Sequence, residues 1–139
     1  MSILQNDLPD AAVLDLFSGS GALGLEALSR GAAHATFVES AAPSLASLQS
    51  NIEQLGASEA TTVHRMDALR FLATVGEHAF DVAFADPPYR KGLAAQVAER
   101  WREIRFSHIL AIEHAAEEPV PAGGDTRRYG DTALTFYHA

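Results

Sequence analysis

The chain has 139 residues, which suits one folded domain, and 47% of them are hydrophobic, enough for a core that needs no metal or disulfide. The absence of cysteine excludes disulfide frameworks, thiolate metal sites and cysteine nucleophiles, and it is compatible with a reducing cytoplasm, where we expect the protein to reside. With 18 acidic residues against 10 basic ones, the net charge of −8 has the wrong sign for a protein that holds bare nucleic acid chiefly through its phosphates.

Five strand-like apolar runs alternate with segments of helical period, which is typical of a parallel sheet covered by helices on both faces. The predicted strands comprise residues 12–17, 35–39, 61–66, 80–86 and 108–113. After the fourth strand, Leu93, Val97 and Trp101 recur on one side of a predicted helix, so we assign Trp101 to the core. None of the apolar runs approaches the roughly 20 residues that a membrane helix requires.

The last part of the chain departs from this alternation. Residues 117–124 are rich in proline and glycine and are predicted to form a loop. Residues 126–129 and 132–137 then flank Gly130-Asp131, as the strands of a β-hairpin would. A terminal hairpin added to a parallel sheet predicts a mixed sheet, and the absence of linkers and repeats predicts a single domain over residues 1–139.

A glycine-rich turn follows the first strand and precedes a helical segment. Gly19, Gly21 and Gly24 have the spacing of the dinucleotide fingerprint, in which glycines let an anionic ligand approach the N–H groups of a helix start. The same spacing occurs in proteins that bind NAD, FAD or S-adenosylmethionine, and also in turns that are purely structural. The turn alone therefore leaves the ligand open.

Three carboxylates near strand ends narrow the choice. Asp15 lies inside the first strand, where a buried charge needs cationic or N–H partners, and the ammonium group of a cofactor or its waters would serve. Glu39 ends the second strand about 20 residues after the first glycine, where a carboxylate can accept both hydroxyls of an adenosine ribose. Asp67 follows the third strand and either accepts from an adenine amino group or caps the next helix.

The tetrapeptide Asp86-Pro87-Pro88-Tyr89 follows the fourth strand, where open α/β sheets carry their chemistry. The two prolines lack N–H donors and fix φ at about −65°, so the neighbouring carbonyls stay free and rigidly aimed. A carboxylate, a free carbonyl and an aromatic ring can together accept both hydrogens of a planar exocyclic amine and stack on the ring that carries it. This geometry suits an amino-methyltransferase.

These motifs resemble those of class I S-adenosylmethionine-dependent methyltransferases, and within them the chain is similar to the 16S rRNA guanine-N2 methyltransferase family, RsmD. The resemblance rests on VLDLFSGSGALGLEALSRGA at residues 13–32, FVE at 37–39, DPPY at 86–89 and RYGDT at 128–132. It implies a Rossmann-like, seven-stranded mixed sheet with S-adenosylmethionine over the carboxyl ends of the strands. It also implies that the methyl acceptor is a guanine of 16S rRNA, within the 30S subunit or an assembly intermediate. We expect a monomer that needs no metal.

With guanine as the acceptor, individual residues acquire expected roles. Asp86 and the carbonyl of Pro87 would accept the two hydrogens of the guanine N2 amino group and aim its lone pair at the methyl group, while Tyr89 stacks on the base. The base would have to be unpaired or flipped out. The expected cofactor-binding residues are Asp15, Phe17, Ser18, Gly19, Ser20, Gly21, Glu39, Ser40, Asp67, Ala68 and Asp86.

The chain departs from the family pattern in three places. The family carries a basic, partly helical N-terminal stretch, whereas this sequence starts at Met1-Ser2-Ile3-Leu4-Gln5, so we expect a truncated chain, which would also explain the acidic balance. Ala41-Ala42 stand where relatives often have another polar residue, which weakens the expected adenosine contact. Residues 117–124 leave no room for a long helix after the fifth strand.

Other interpretations of the same residues stay open. The DPPY motif also occurs in adenine-N6 methyltransferases, and a chain without its N-terminal stretch could be a cofactor-binding core that does not turn over. A nicotinamide-dependent oxidoreductase would share the glycine turn and Glu39 but would leave Asp86 to Tyr89 unexplained. The basic residues from Arg90-Lys91 to Arg127-Arg128 either form a local face near that motif or are ordinary surface charges.

Overall fold

A computed structural model describes residues 4–89 and 91–139 of the chain, and the expectations that concern Met1 to Ile3 and Arg90 lie outside these residues. Within this part, the strands are β1 (Ala12–Leu16), β2 (His34–Glu39), β3 (Thr61–Arg65), β4 (Phe80–Ala85), β5 (Ser107–Ala115), β6 (Asp125–Tyr129) and β7 (Thr132–His138). The helices are α1 (Ala22–Ser29), α2 (Ala42–Gln54), α3 (Ala68–Leu72) and α4 (Leu93–Glu103), and a 3₁₀ turn spans Ser58–Ala60. None of the helices in the described ranges has the length and apolar character needed to span a membrane.

The strands form one sheet in the order β3-β2-β1-β4-β5-β7-β6. β1 to β5 run parallel, whereas β7 is antiparallel to both β5 and β6. The chain order reverses between β1 and β4, which is where open α/β sheets bind ligands beyond the carboxyl ends of their strands. The mixed sheet and the terminal hairpin predicted from the sequence are therefore confirmed.

Helices cover both faces of the sheet. α3 and α4 pack on one face, where the core cluster includes Leu14, Leu110 and Trp101. α1, α2 and the segment before β1 cover the other face, where Val13 and Phe37 are fully buried. Trp101 is 2% exposed and its indole N–H donates to a backbone carbonyl at 3.0 Å, so its assignment to the core is confirmed.

Local chemistry fixes where the helices begin and end. α3 begins after Asp67, whose carboxylate accepts the N–H of Arg70 at 3.0 Å in the manner of an N-cap. Gly56 follows α2 with a left-handed φ of 63°, and its N–H donates to the carbonyl of Glu53. Residues 116–124 form turns and loop without a helix, as the sequence predicts.

Gly24 lies where α1 comes closest to β2. A Cβ atom at this position would stand 2.8 Å from Cζ of Phe37, whose ring is fully buried and has no room to move away. We expect Gly24→Ala to lower the free energy of unfolding by about 1–3 kcal/mol through overpacking, despite the better helix propensity of alanine. Urea unfolding of the ligand-free protein measures this change.

Gly76→Ala is the matched control, because no atom lies within 4 Å of the Cβ position of Gly76 and its φ lies outside the left-handed region. The control should be as stable as the wild type. Equal stability of Gly24→Ala and Gly76→Ala would contradict the close approach of α1 to β2.

Candidate active site

Four acidic side chains lie along one edge of the sheet, at the carboxyl ends of β2, β1, β4 and β5. We call Glu39, Asp15, Asp86 and Glu113, in this spatial order, the acidic edge. The partner of Asp15 in β2 stands two positions before Glu39, and its partner in β4 stands two positions before Asp86. The last registered pair of β4 and β5 is followed directly by Asp86 in one chain segment and by Glu113 in the other. Because side chains alternate along a strand, this register points all four carboxylates to the same face of the sheet.

A cleft of about 690 Å³ opens at this edge. Glu39 and Asp67 line one side of it, and Asp86, Tyr89 and Glu113 line the other. The cleft therefore lies over the point between β1 and β4 where the chain order reverses, and residues in or just after all five parallel strands line it.

The Glu39 carboxylate joins the glycine turn to the start of α2. Its Oε1 accepts the N–H of Gly19 at 2.7 Å, and its Oε2 accepts the N–H groups of Ser40 and Ala41 at 3.0 and 2.9 Å. A carboxylate offers about four lone-pair sites, so these bonds leave about one for a ligand in the cleft. The turn and the carboxylate expected to bind ribose are thus one connected unit, but with about one free site the Glu39 carboxylate has room for one ribose hydroxyl rather than for both.

The glycine turn contains residues that serve packing and residues that face open space. Ser18 donates its hydroxyl to a carbonyl of β1 and accepts an N–H of β2 at 3.0 Å, so it ties the turn to both strands. A Cβ atom on Gly21 would collide with the side chain of Leu48. Nothing lies within 4 Å of the Cβ position of Gly19, so this side of the residue faces open space, while its N–H is already bonded to Glu39.

Phe17 connects β1 to the glycine turn in a strained conformation. Its φ of 57° is left-handed, which costs a residue other than glycine about 1–3 kcal/mol. Phe17 lines the cleft and packs against the core cluster below α3 and α4, which holds it in place. Strain of this kind at a cleft is typical of functional sites.

Asp15 is buried beneath the cleft, with 2% of its surface exposed. Its Oδ2 accepts the N–H of Gly24 at 3.0 Å, and an N–H group is one of the two kinds of partner expected for it. Burial is the main cause that raises the pKa of Asp15 to about 7; the bond from Gly24 lowers it, and the charges of Asp86 and Glu39 raise it further. A cation in the cleft would therefore stabilise the ionised form of Asp15.

Asp86 and Glu113 form a close carboxyl pair. Asp86 is accessible to water, but the surrounding protein partly desolvates its carboxyl group. This desolvation is the main cause that raises the pKa of Asp86 to about 6, and the neighbouring carboxyl group of Glu113 raises it further through its charge and hydrogen bonding. Among residues 4–89 and 91–139, no cationic side chain lies within ion-pair distance of either carboxylate. Within the described part of the chain, the pair therefore has no cation to balance its charge.

The ring of Tyr89 is held beside the cleft by the terminal hairpin. Its hydroxyl lies 3.1 Å from Oγ1 of Thr132, the first residue of β7. Thr132 pairs with Ala115, two residues beyond Glu113 in β5. The hairpin thus ends next to the acidic edge and fixes an aromatic ring there.

Comparison with known families agrees with this geometry. A family model described as "Conserved hypothetical protein 95" matches residues 1–138. The chain belongs to this family. The resemblance drawn from its sequence motifs is thereby supported by a match over almost the whole chain.

Two proteins extend the comparison within the Conserved hypothetical protein 95 family. The chain is 48% identical over 115 residues to Ribosomal RNA small subunit methyltransferase D of Escherichia coli (strain K12). The aligned region covers 81% of this chain and 57% of that relative. The chain thus spans little more than half the length of this curated relative. The solved structure of yhhF from Escherichia coli superposes with a TM-score of 0.85 at 34% identity, covering 99% of this chain and 80% of that one.

A more distant structure shares the fold. The RNA methyltransferase from Salinibacter ruber, solved in complex with S-adenosyl-L-homocysteine, has a TM-score of 0.69 at 14% identity, covering 99% of this chain and 87% of that one. With these neighbours, the fold of the present chain is that of class I methyltransferases, as the sequence predicts.

The cleft collects most of the residues predicted from sequence. Those that line it are Phe17, Glu39, Ser40, Asp67, Asp86, Pro87 and Tyr89. The other predicted residues, Asp15, Ser18, Gly19, Ser20, Gly21 and Ala68, lie in the turn or beneath the cleft and do not line it. Asp67 caps α3 and faces the cleft at once, so the two roles weighed for it are compatible.

Sequence reasoning did not single out Ala41, Pro88, Leu93 and Glu113 as site residues, although all four line the cleft. Glu113 offered a usable signal, because it is an acidic residue at the end of an apolar strand, like Glu39 and Asp86. Leu93 offered none, since it belongs to the apolar stripe of α4.

The raised pKa of Asp15 predicts a stability profile that depends on pH. Because the pKa is higher in the folded state (about 7) than in the unfolded chain (about 3.9), this group's contribution to stability is fully present below about pH 4 and is lost as the pH rises through about 7. Asp15→Asn removes this titration, so between pH 4 and pH 8 its stability relative to the wild type should rise by up to about 4 kcal/mol. Urea unfolding of the ligand-free proteins at both pH values measures the change.

Asp7→Asn, an exposed substitution before β1, is the control and should follow the wild-type profile. Parallel profiles for Asp15→Asn and the wild type would show that the folded state holds Asp15 ionised at no cost.

Proposed function

We propose that this chain transfers a methyl group from S-adenosylmethionine to the exocyclic N2 amino group of a guanine in 16S rRNA. The observation that carries the proposal is the convergence of Asp86, Pro87 and Tyr89 with Glu39 on the walls of one cleft. Asp86, Pro87 and Tyr89 would bind the planar amine, and Glu39 would bind the ribose of the cofactor. The methyl group would then cross the cleft between them. The name of the Escherichia coli relative supports the same reaction class.

The chemistry of the cleft fits S-adenosylmethionine. Its sulfonium and ammonium groups would supply positive charge close to Asp15 and Asp86, neither of which has a cationic side chain within ion-pair distance among residues 4–89 and 91–139. Glu39 would bind the ribose, the open space beside Gly19 would accommodate the chain that carries the ammonium group, and Asp67 would face the adenine. When bound, the cofactor supplies an electrophilic methyl group to the cleft.

The chain's own contribution to the reaction is orientation and electrostatics. The guanine amino nitrogen is a weak nucleophile because its lone pair is delocalised into the ring. Asp86 and the carbonyl of Pro87 would accept its two hydrogens, turn the lone pair towards the methyl group and stabilise the positive charge that develops on nitrogen. The proline pair restricts the backbone around the Pro87 carbonyl, so this acceptor would be fixed before the substrate arrives.

Tyr89 would stack on the target base after the base leaves its helix or loop. Unstacking costs a few kcal/mol, which stacking on an aromatic side chain partly offsets. The bond between Tyr89 and Thr132 would keep the ring from rotating away when the cleft is empty.

The terminal hairpin would contact the RNA around the target base. β6 is exposed along its length and carries Arg127, Arg128 and Tyr129, whose ring is 57% exposed. These residues offer positive charge and a stacking surface beside the cleft in a chain whose net charge is −8. We infer that they meet 16S rRNA in the 30S subunit or an assembly intermediate, with the protein acting as a monomer in the cytoplasm.

Asp86→Ala tests the amine grip. It removes one of two acceptors for the amino hydrogens, so the rate of methyl transfer to undermodified 30S subunits should fall by about 100-fold or more, as expected for the loss of a preorganised transition-state contact. Incorporation of labelled methyl groups and mass spectrometry of N2-methylguanosine provide the measurement.

Glu103→Ala, at the far end of α4, is the control for this substitution and should keep the wild-type rate. Methyl transfer by Asp86→Ala at close to the wild-type rate would contradict the role of Asp86 in binding the amino group. Binding of S-adenosylmethionine without any methyl transfer by the wild type would identify the chain as a cofactor-binding core.

Glu39→Ala tests the cofactor site. The loss of a charged hydrogen-bond acceptor should weaken S-adenosylmethionine binding by about 10-fold or more in calorimetry, whereas Glu53→Ala, on the exposed side of α2, should not. A 2′-deoxy analogue separates ribose contact from loosening of the turn. It should bind the wild type more weakly than the parent ligand does, but bind Glu39→Ala about equally. An equal loss with both proteins would remove the ribose assignment.

A further inference from the structure

Glu113 stands next to Asp86 at the carboxyl edge of the sheet. β4 and β5 are in parallel register up to Ala85 and Ile112, so the next residue of each strand places its carboxyl group beside the other. The two groups are close enough for Glu113 to raise the pKa of Asp86. Glu113 lines the cleft and also borders a smaller apolar cavity of about 130 Å³, so its carboxyl group lies where the two spaces meet.

A pair of adjacent carboxyl groups without a counterion needs hydrogen-bond donors. Within the described ranges 4–89 and 91–139, neither group has a cationic partner. A structural ion pair therefore does not explain Glu113. The space in front of the pair is the cleft, which already contains Pro87 and Tyr89 of the amine grip. Water supplies donors while the cleft is empty, and a ligand that enters the cleft can replace these waters with its own N–H groups.

We propose that Glu113 selects guanine as the target base by accepting its N1–H, while Asp86 and the carbonyl of Pro87 accept the two hydrogens on N2. This inference rests on the proposed function. The tetrapeptide Asp86 to Tyr89 can bind the amino group of either guanine or adenine. Under this proposal, Glu113 in β5 discriminates between the two bases.

The selection follows from the donor and acceptor pattern of the bases. Guanine presents N1–H and the N2 amino group side by side, a row made only of donors, which matches a row made only of acceptors. Adenine and 2-aminopurine carry an amino group beside an N1 lone pair instead, and this lone pair would face the Glu113 carboxylate. Repulsion and an unpaired buried acceptor would penalise both bases.

The experiment compares guanine with 2-aminopurine at one position of the RNA. Mass spectrometry of 30S subunits treated with the wild-type chain first locates N2-methylguanosine. The 16S rRNA is then rebuilt by splinted ligation with either base at that position and assembled into subunits. Single-turnover methyl transfer is measured at pH 8, above the pKa of about 6 of Asp86, for the wild type, Glu113→Gln and Glu113→Asp.

The wild type should prefer guanine by about 10-fold or more, as expected for one discriminating contact to a base edge. Glu113→Gln can offer either an oxygen or an amide N–H, so its preference should fall to within about 3-fold of unity. Glu113→Asp keeps an acceptor-only group and should retain a preference for guanine. Glu53→Gln, an exposed change on α2, is the matched control and should behave like the wild type.

The outcomes separate this inference from the proposed function. An unchanged preference in Glu113→Gln, with methyl transfer by the wild type intact, overturns the role of Glu113 alone. Absence of methyl transfer by the wild type to either RNA overturns both. Calorimetric affinity for S-adenosylmethionine should stay within 2-fold of the wild type in folded Glu113→Gln, and a loss of base preference accompanied by a large loss of cofactor affinity would also count against base selection.

Discussion

The parallel register of β2, β1, β4 and β5 is the constraint on which the site depends. Parallel strands all end at one edge, and their side chains alternate with a period of two residues. A shift of one residue in any of these strands would turn its carboxylate to the opposite face. The register thus brings Glu39, Asp15, Asp86 and Glu113 to one face, although Asp15 and Glu113 are 98 positions apart along the chain.

Holding four acids together costs stability, and the apolar core must offset this cost. Asp15 is buried with one N–H partner, and Phe17 is kept in a left-handed conformation by the packing beneath it. The fully buried strand residues on both faces supply the compensating hydrophobic burial. A ligand that brings positive charge would relieve the same repulsion, so binding energy and folding energy are linked at this edge.

The sequence predicts those parts of the structure that depend on residues close together in the chain. Strand runs, the Asp67 cap and the terminal hairpin all follow from neighbouring residues, and each is observed. It is less informative where a contact joins distant segments. Neither the bond between Tyr89 and Thr132 nor the pairing of Asp86 with Glu113 can be derived without knowing which strands are adjacent.

The glycine turn shows a different limit of sequence reasoning. The fingerprint spacing treats its glycines alike, yet Gly24 and Gly21 make room for Phe37 and Leu48, and only Gly19 faces open space. Similarly, Ser18 has its hydroxyl bonded to β1 and β2. Side chains from later elements decide these roles, so the spacing identifies the motif without assigning its members.

The contact between Tyr89 and Thr132 links the position of the Tyr89 ring in the cleft to the terminal hairpin at the edge of the sheet. β6 is the outermost strand, and every one of its residues is exposed. Edge hairpins of this kind open in local fluctuations well below the free energy of global unfolding. Each opening would release the Tyr89 ring while the central strands stay closed. We therefore expect the aromatic wall of the cleft to be ordered only while the hairpin is closed.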